Sequence, residues 1–188
     1  MRLYSTAVLF AGGRSRRMGE DKALLPFGAF ASLSQYQHVR LQKLFKDVYI
    51  STKKNKFDFP CQCIIDSYDE ASPLVALLSV FETMDVEEVF VLSVDAPFVD
   101  QEVIDILMAE EREEAQVIVS RSPSGLQPLC ARYHKSILPY VQTQYKNKKH
   151  KLSDLLAIVQ TKEIIFSDDK AFTNLNHPQE YQDALKHI

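Results

Sequence analysis

The sequence predicts an α/β domain with a mainly parallel sheet between two layers of helices, and three features predict it. Apolar runs of strand length alternate with segments of helical periodicity along almost the whole chain. Residues 88–94, EVFVLSV, are apolar on both faces, as a central strand covered from both sides must be. The first strand-like run ends in two adjacent glycines, at the edge where an open parallel sheet carries its ligand loops.

Taken in order, residues 7–11 (AVLFA) read as a buried strand ending in Gly12-Gly13, and apolar residues recur at helical spacing over 35–45. Residues 47–52 (DVYIST) and 61–65 (CQCII) are the next strands, and 73–84 is a helix. After the strand 88–94 comes Asp95-Ala96-Pro97-Phe98, then a helix with Asp100 as its N-cap and acidic residues in its first turn. Strands at 116–121 and 127–133 flank the turn Pro123-Ser124-Gly125. Helices near 134–145 and 153–159, a strand at 163–166 and a last helix after Pro178 complete the pattern.

A chain of 188 residues, 46% hydrophobic and 25% charged, is expected to form one domain, residues 1–188. No run approaches a membrane span and the start MRLYSTAVLF lacks the features of a secretory signal, so a cytoplasmic protein without membrane contact is expected. Cys61, Cys63 and Cys130 offer neither a disulfide framework nor zinc-ligand spacing, and are read as reduced, buried thiols. The formal net charge of −3 argues against a nucleic-acid coat, so any anion site must be local. The basic stretch 146–151 (KNKKHK) is read as a solvated connection.

Such a local site stands at residues 9–24, LFAGGRSRRMGEDKAL. Gly12 and Gly13 permit backbone angles closed to other residues, and consecutive amides in such a loop form an anion-binding concavity. Arg14, Arg16, Arg17 and Lys22 add charge-assisted bonds, which suits a phosphate chain; a glycine turn followed by a solvated basic segment is the competing reading. The glycines at 12, 13 and 19 fit neither G-x-x-x-x-G-K-[ST] nor G-x-G-x-x-G, which disfavours a Walker ATPase and a Rossmann dehydrogenase. Asp95, at the mouth of the central strand, is the best metal-holding carboxylate, or else caps the turn before Pro97. Asp66 closes the strand CQCII and offers acceptors to a ribose or base edge, or forms an Asx-turn into Ser67-Tyr68. In residues 174–180 (NLNHPQE), Asn176 reads as an N-cap with Gln179 at N3.

The pattern A-G-G-x-S-R-R-M-G-x-D-K-A-L-L at residues 11–25 closely resembles the signature of the nucleotidyltransferase family that contains molybdenum cofactor guanylyltransferase. The resemblance runs in order along essentially the whole chain. It implies a three-layer α/β/α Rossmann-like nucleotidyltransferase fold with a mainly parallel, mixed sheet. It also implies transfer of GMP from GTP to the terminal phosphate of molybdopterin, with release of pyrophosphate and Mg²⁺ as cofactor. By the same resemblance Phe10, Ala11, Gly12 and Gly13 line the GTP pocket, Lys22 and Arg16 contact phosphates, and S-V-D-A-P-F puts the metal on Asp95. Asp66 and Ser51 match nucleoside-contacting positions, Ser51 where relatives carry Asn, and Asn174 and Asn176 match a pterin-associated N-x-N-x-P-E stretch. Molybdenum-insertion and molybdoenzyme chaperone proteins are candidate partners.

The chain departs from the family at SPLVAL (72–77) for G-P-L-A-G-[IL], at residues 28–33 for G-x-P-L, and at Gln127-Pro128-Leu129 for His-Pro-Leu. These departures fall on base and acceptor recognition, not on the phosphate or metal positions. The competing functions are a related transferase using CTP or a sugar phosphate, and a noncatalytic nucleotide-binding protein. An RNA-binding module is disfavoured, because the basic loop lacks interleaved aromatics.

Overall fold

The computed structural model describes residues 3–12 and 21–186. Seven strands form one sheet in the order β3-β2-β1-β4-β6-β5-β7. They are β1 (Tyr4–Phe10), β2 (Phe45–Thr52), β3 (Gln62–Ile65), β4 (Glu88–Ser93), β5 (Val117–Ser122), β6 (Gly125–His134) and β7 (Thr161–Ile165). The helices are α1 (Leu33–Gln42), α2 (Pro73–Thr83), α3 (Gln101–Ala109), α4 (Leu138–Lys146), α5 (Leu152–Leu156) and α6 (Pro178–Leu185). Only β6 runs against its neighbours, pairing antiparallel with β4 and β5, so the sheet is mixed and mainly parallel, as the sequence predicts.

The alternation of side chains across the sheet divides the core in two. Ala7 and Leu9 of β1 face one apolar layer with Leu41, Phe45 and Ile104, while Val8 and Phe10 face the other with Leu77, Val80 and Val141. β4 repeats the division, with Phe90 and Leu92 on the first side and Val89 and Val91 on the second. Burial on both faces explains why β1 and β4 read as unbroken apolar runs.

The strands begin and end close to their sequence-predicted limits, with three informative differences. β1 and β2 extend further at their starts, because Tyr4 pairs with Phe45 in the parallel ladder. The hairpin between β5 and β6 closes at Ser122 and Gly125, where φ is +121° and a side chain would be strained. α5 has 5 residues, shorter than the sequence pattern suggests, since Ala157 already closes it.

The chain reverses its course across the sheet at β1: β2 and β3 build outwards on one side and β4 opens the other. Phe10 lies beside Ser93 in the β1–β4 ladder, and Val94 N–H donates to the Phe10 carbonyl at 3.0 Å. Gly12 and Asp95 each follow these paired residues by two positions, so both lie at adjacent carboxyl-terminal strand tips. An open α/β sheet binds its ligands at this switch point.

One buried cation braces the frame behind that edge. α3 has no basic residue in its last turn to satisfy its terminal carbonyls. Arg132 of β6, 9% exposed, supplies them from outside, donating to the carbonyls of Leu107 at 2.9 Å and Glu110 at 2.7 Å. The same guanidinium grips Glu88 of β4 through Nε at 3.0 Å and Nη2 at 2.8 Å. Arg132→Met, which leaves Glu88 without its partner, is expected to lower the unfolding free energy by about 3 kcal/mol in urea titrations.

Candidate active site

Two groups of polar side chains occupy the edge formed by the tips of β1, β3 and β4. The first gathers on Lys22. Asp21 takes an N-cap position, its carboxylate accepting from Ala23 N–H at 3.1 Å, and so fixes the short 3₁₀ turn Lys22–Leu24 that carries the lysine. Lys22 Nζ then donates to Asp95 Oδ2 at 2.9 Å and to Asn176 Oδ1 at 3.1 Å. The Lys22 and Asp95 side chains are 14% and 21% exposed, so the pair is sheltered yet open to a ligand. Ser93 Oγ donates to the other Asp95 oxygen, Oδ1, at 2.6 Å and orients the carboxylate.

The segment before α6 reaches this group because Leu175 N–H donates to the Asp95 carbonyl at 2.9 Å. Asn174 and Asn176 flank that pinned residue, Asn174 half-buried and Asn176 exposed. The expected cap on Asn176 is corrected by one residue. His177 is the N-cap of α6, and Glu180 accepts from the backbone N–H of both Asn176, at 2.5 Å, and His177, at 2.7 Å. Glu180 does the capping work, which leaves the Asn176 amide for Lys22.

The second group lines a cleft beside the first. Phe10, Gly12, Asp66, Ser72, Ser93 and Leu129 contribute to its walls, and Ser93 connects it to Asp95. Asp66 is 8% exposed and accepts from Ser51 Oγ at 3.1 Å, while its own N–H continues the ladder to the Thr52 carbonyl at 3.0 Å. Burial pushes the Asp66 carboxyl above the ordinary aspartate range, against the opposing effects of the Ser51 hydroxyl, the nearby Lys53 ammonium and the Ser79 hydroxyl. Ser51 thus acts on Asp66, which ties together two positions that the sequence suggests separately.

Gly12 differs from expectation in its reason. Its φ lies outside the left-handed region, so the backbone does not demand glycine there, and a Cβ would stand 3.8 Å from Asp66 Oδ2, in ordinary contact. Ser72 stands where the resembled family has its first glycine of G-P-L-A-G, and here caps α2 by accepting from Val75 N–H at 3.2 Å. Gly13 and Arg16 lie outside the described residues. Ala11 is buried, its N–H donating to the Ser51 carbonyl at 3.0 Å.

Two lysines that sequence reasoning passed over also face this edge. Lys53 Nζ donates to the carbonyls of Tyr68 and Glu70, the latter at 2.7 Å, bracing the chain between Asp66 and α2. Lys56 Nζ reaches Ala11 and Asp21. Their signal was the run KKNK directly after DVYIST, at the same sheet edge as the glycines. Among the described residues no three His, Cys, Asp or Glu side chains form a metal cluster, and no helix is long and apolar enough to cross a membrane.

The model of the MobA-like NTP transferase domain matches residues 7–164. The chain belongs to the MobA-like NTP transferase family. A protein named molybdenum cofactor guanylyltransferase from Campylobacter jejuni is 34% identical over 177 residues, 93% of this chain and 92% of that protein. One of the same name from Helicobacter pylori is 33% identical over 185 residues, 95% of this chain and 90% of its own length. The crystal structure of molybdopterin-guanine dinucleotide biosynthesis protein A from Archaeoglobus fulgidus superposes with a TM-score of 0.83 at 16% identity, covering 97% of each chain. A CMP:2-keto-3-deoxy-manno-octonic acid synthetase solved with CTP superposes at 0.77 and 13% identity over 98% of each chain, a likeness of fold alone. The match to the MobA-like model runs from within β1 to within β7.

The raised Asp66 value makes a signed prediction. The stability conferred by its proton is fully present below the value of an unfolded aspartate and is lost as pH rises through the folded value. Asp66→Asn should therefore melt like the wild type at acidic pH and increasingly above it towards neutrality, as followed by thermal denaturation across a pH series.

Proposed function

We propose that this chain transfers GMP from GTP to the terminal phosphate of molybdopterin and releases pyrophosphate. An oxygen of the acceptor phosphate attacks the α-phosphorus, the bond from that phosphorus to the bridging oxygen of the β-phosphate breaks, and pyrophosphate departs with the bonding electrons. The attacking phosphate is already ionised near neutral pH, so no general base is required. What is required is neutralisation and alignment of several anions.

The observation that carries this reading is one ammonium, Lys22 Nζ, held between Asp95 Oδ2 and Asn176 Oδ1 at the mouth of the cleft that Asp66 lines. The arrangement is that of a cation gathered by oxygen donors, and Lys22 is poised to exchange these contacts for phosphate oxygens. The oxygens of Asp95 and Asn176 also suit Mg²⁺, which takes one or two protein carboxylates or carbonyls and keeps several waters. When bound there, Mg²⁺ supplies charge neutralisation on the triphosphate and a more electrophilic α-phosphorus. Ser93 keeps the Asp95 carboxylate turned towards the substrate side through its bond to Oδ1.

In this reading Phe10, Ala11 and Gly12 form the floor under the nucleoside, and Asp66, oriented by Ser51, accepts from the ribose or the guanine N–H edge. Arg16 and Gly13 belong to the phosphate stretch of the motif. Asn174 and Asn176 place the pterin phosphate against the α-phosphorus, where the Leu175–Asp95 backbone bond holds them. The two curated relatives, at 34% and 33% identity over nearly their whole lengths, support guanine as the base.

Lys22→Ala and Asp95→Ala should each lower pyrophosphate release with GTP and molybdopterin by about 100-fold or more, as expected when a charge-stabilising group is removed. A near wild-type rate in Asp95→Ala contradicts the mechanism. Turnover compared across GTP, CTP, ATP and UTP should favour GTP. Dominant use of CTP overturns the assignment of the base, and nucleotide binding without pyrophosphate release from any acceptor overturns catalysis.

A further inference from the structure

Lys56 touches the residues on both sides of the glycine-arginine stretch, Ala11 and Asp21. It comes from the connection between β2 and β3, and its Nζ donates to the Ala11 carbonyl at 3.2 Å and forms an ion pair with Asp21 Oδ2. The lysine side chain is 14% exposed, and the ammonium also stands 5.7 Å over the Phe57 ring. Ala11 is the residue that leaves the tip of β1, and Asp21 is the residue that caps the turn bearing Lys22. One nitrogen thus fixes both anchors of the segment that the proposed reaction assigns to the triphosphate.

We propose that Lys56 is a positioning residue for nucleotide phosphate, acting as a clasp on the two anchors and as the counter-charge of Asp21. This rests on the reading of residues 11–22 as the phosphate-holding stretch. Two physical effects combine. Mechanically, the clasp sets where the Lys22 turn stands relative to the β1 tip, so that Lys22 meets both Asp95 and an incoming phosphate. Electrostatically, Asp21 is a carboxylate next to a site for a polyanion, and without a partner it repels the ligand. Lys56 cancels that charge while Asp21 keeps its capping bond to Ala23 N–H. An acid at position 21 is then tolerable beside Lys22 because a cation from another part of the chain is brought to it.

The test uses the full chain and compares the wild type with Lys56→Ala, Lys56→Arg, Asp21→Asn and the double variant Lys56→Ala/Asp21→Asn. GTP and inorganic triphosphate are the probes in calorimetric binding, alongside kinetics of pyrophosphate release and melting of the ligand-free protein. Lys56→Ala is expected to weaken both probes by the same factor, about five- to tenfold, and to raise the KM for GTP with little change in kcat. Lys56→Arg should retain binding, and the loss caused by Lys56→Ala should be smaller when Asp21 is already Asn. Unchanged triphosphate binding in Lys56→Ala overturns the proposal. So does a loss that adds to that of Asp21→Asn, or one that Lys56→Arg shares in step with a lower melting temperature. A wild type that binds triphosphate but transfers no GMP removes the proposed reaction and leaves the clasp to be judged on binding. A wild type that transfers GMP, with Lys56→Ala binding normally, removes the clasp alone.

Discussion

Lys22, Asp95 and Asn176 come together from positions 73 and 154 residues apart along the chain, and the rest of the site is arranged around their meeting. A sheltered ammonium and carboxylate pair is stable only when further polar groups complete its surroundings. Ser93 supplies one, on the far Asp95 oxygen, and Asn176 another, on the lysine. The order of the sheet makes this possible: β1 and β4 are neighbours, so their carboxyl ends deliver the Lys22 segment and Asp95 to the same place. The last connection before α6 closes the group because Leu175 is tied to the backbone of Asp95 itself.

The charges in this corner are balanced locally, in a chain whose net charge is −3. Two of the described acids at this edge are each paired with a cation, Asp95 with Lys22 and Asp21 with Lys56. Asp66 is handled differently, by burial, with Ser51 as its donor. Burial holds its carboxyl above the ordinary aspartate range, and its oxygens stand as acceptors at the wall of the cleft. The connection between β2 and β3 serves both sides of the cleft, Lys53 supporting the wall before α2 and Lys56 the anchors of the glycine stretch.

Much of the fold is written in local patterns that a reader of the sequence can use. β4 declares itself by apolar residues on both faces, and Asp100 caps α3 by accepting from Val103 N–H at 3.0 Å, the role its position suggests. Lys22 and Asp95 stand out because glycines, cations and a strand-ending acid have few other reasons to occur in that order. The less legible features depend on choices between near-equivalent local partners. Asn176 and His177 compete for the same cap, and the carboxylate of Glu180, able to accept from both N–H groups, moves the helix start by one residue. Gly12 reads as a turn glycine, whereas its backbone does not need one and a Cβ there would meet Asp66, just past a strand two places away in the sheet, at ordinary contact distance. Lys56 is hidden for the same reason: its partners lie 45 and 35 residues earlier, and only the order β3-β2-β1 brings them within reach.

The most direct test of this account is a crystal structure of the chain with GTP and Mg²⁺. The account predicts the triphosphate across the tips of β1 and β4, with Lys22 Nζ moved from Asp95 to a phosphate oxygen, the metal on Asp95, and the nucleoside against Asp66. A nucleotide seated elsewhere, or a triphosphate bound while Lys22 remains paired with Asp95 and no metal touches that carboxylate, would contradict it.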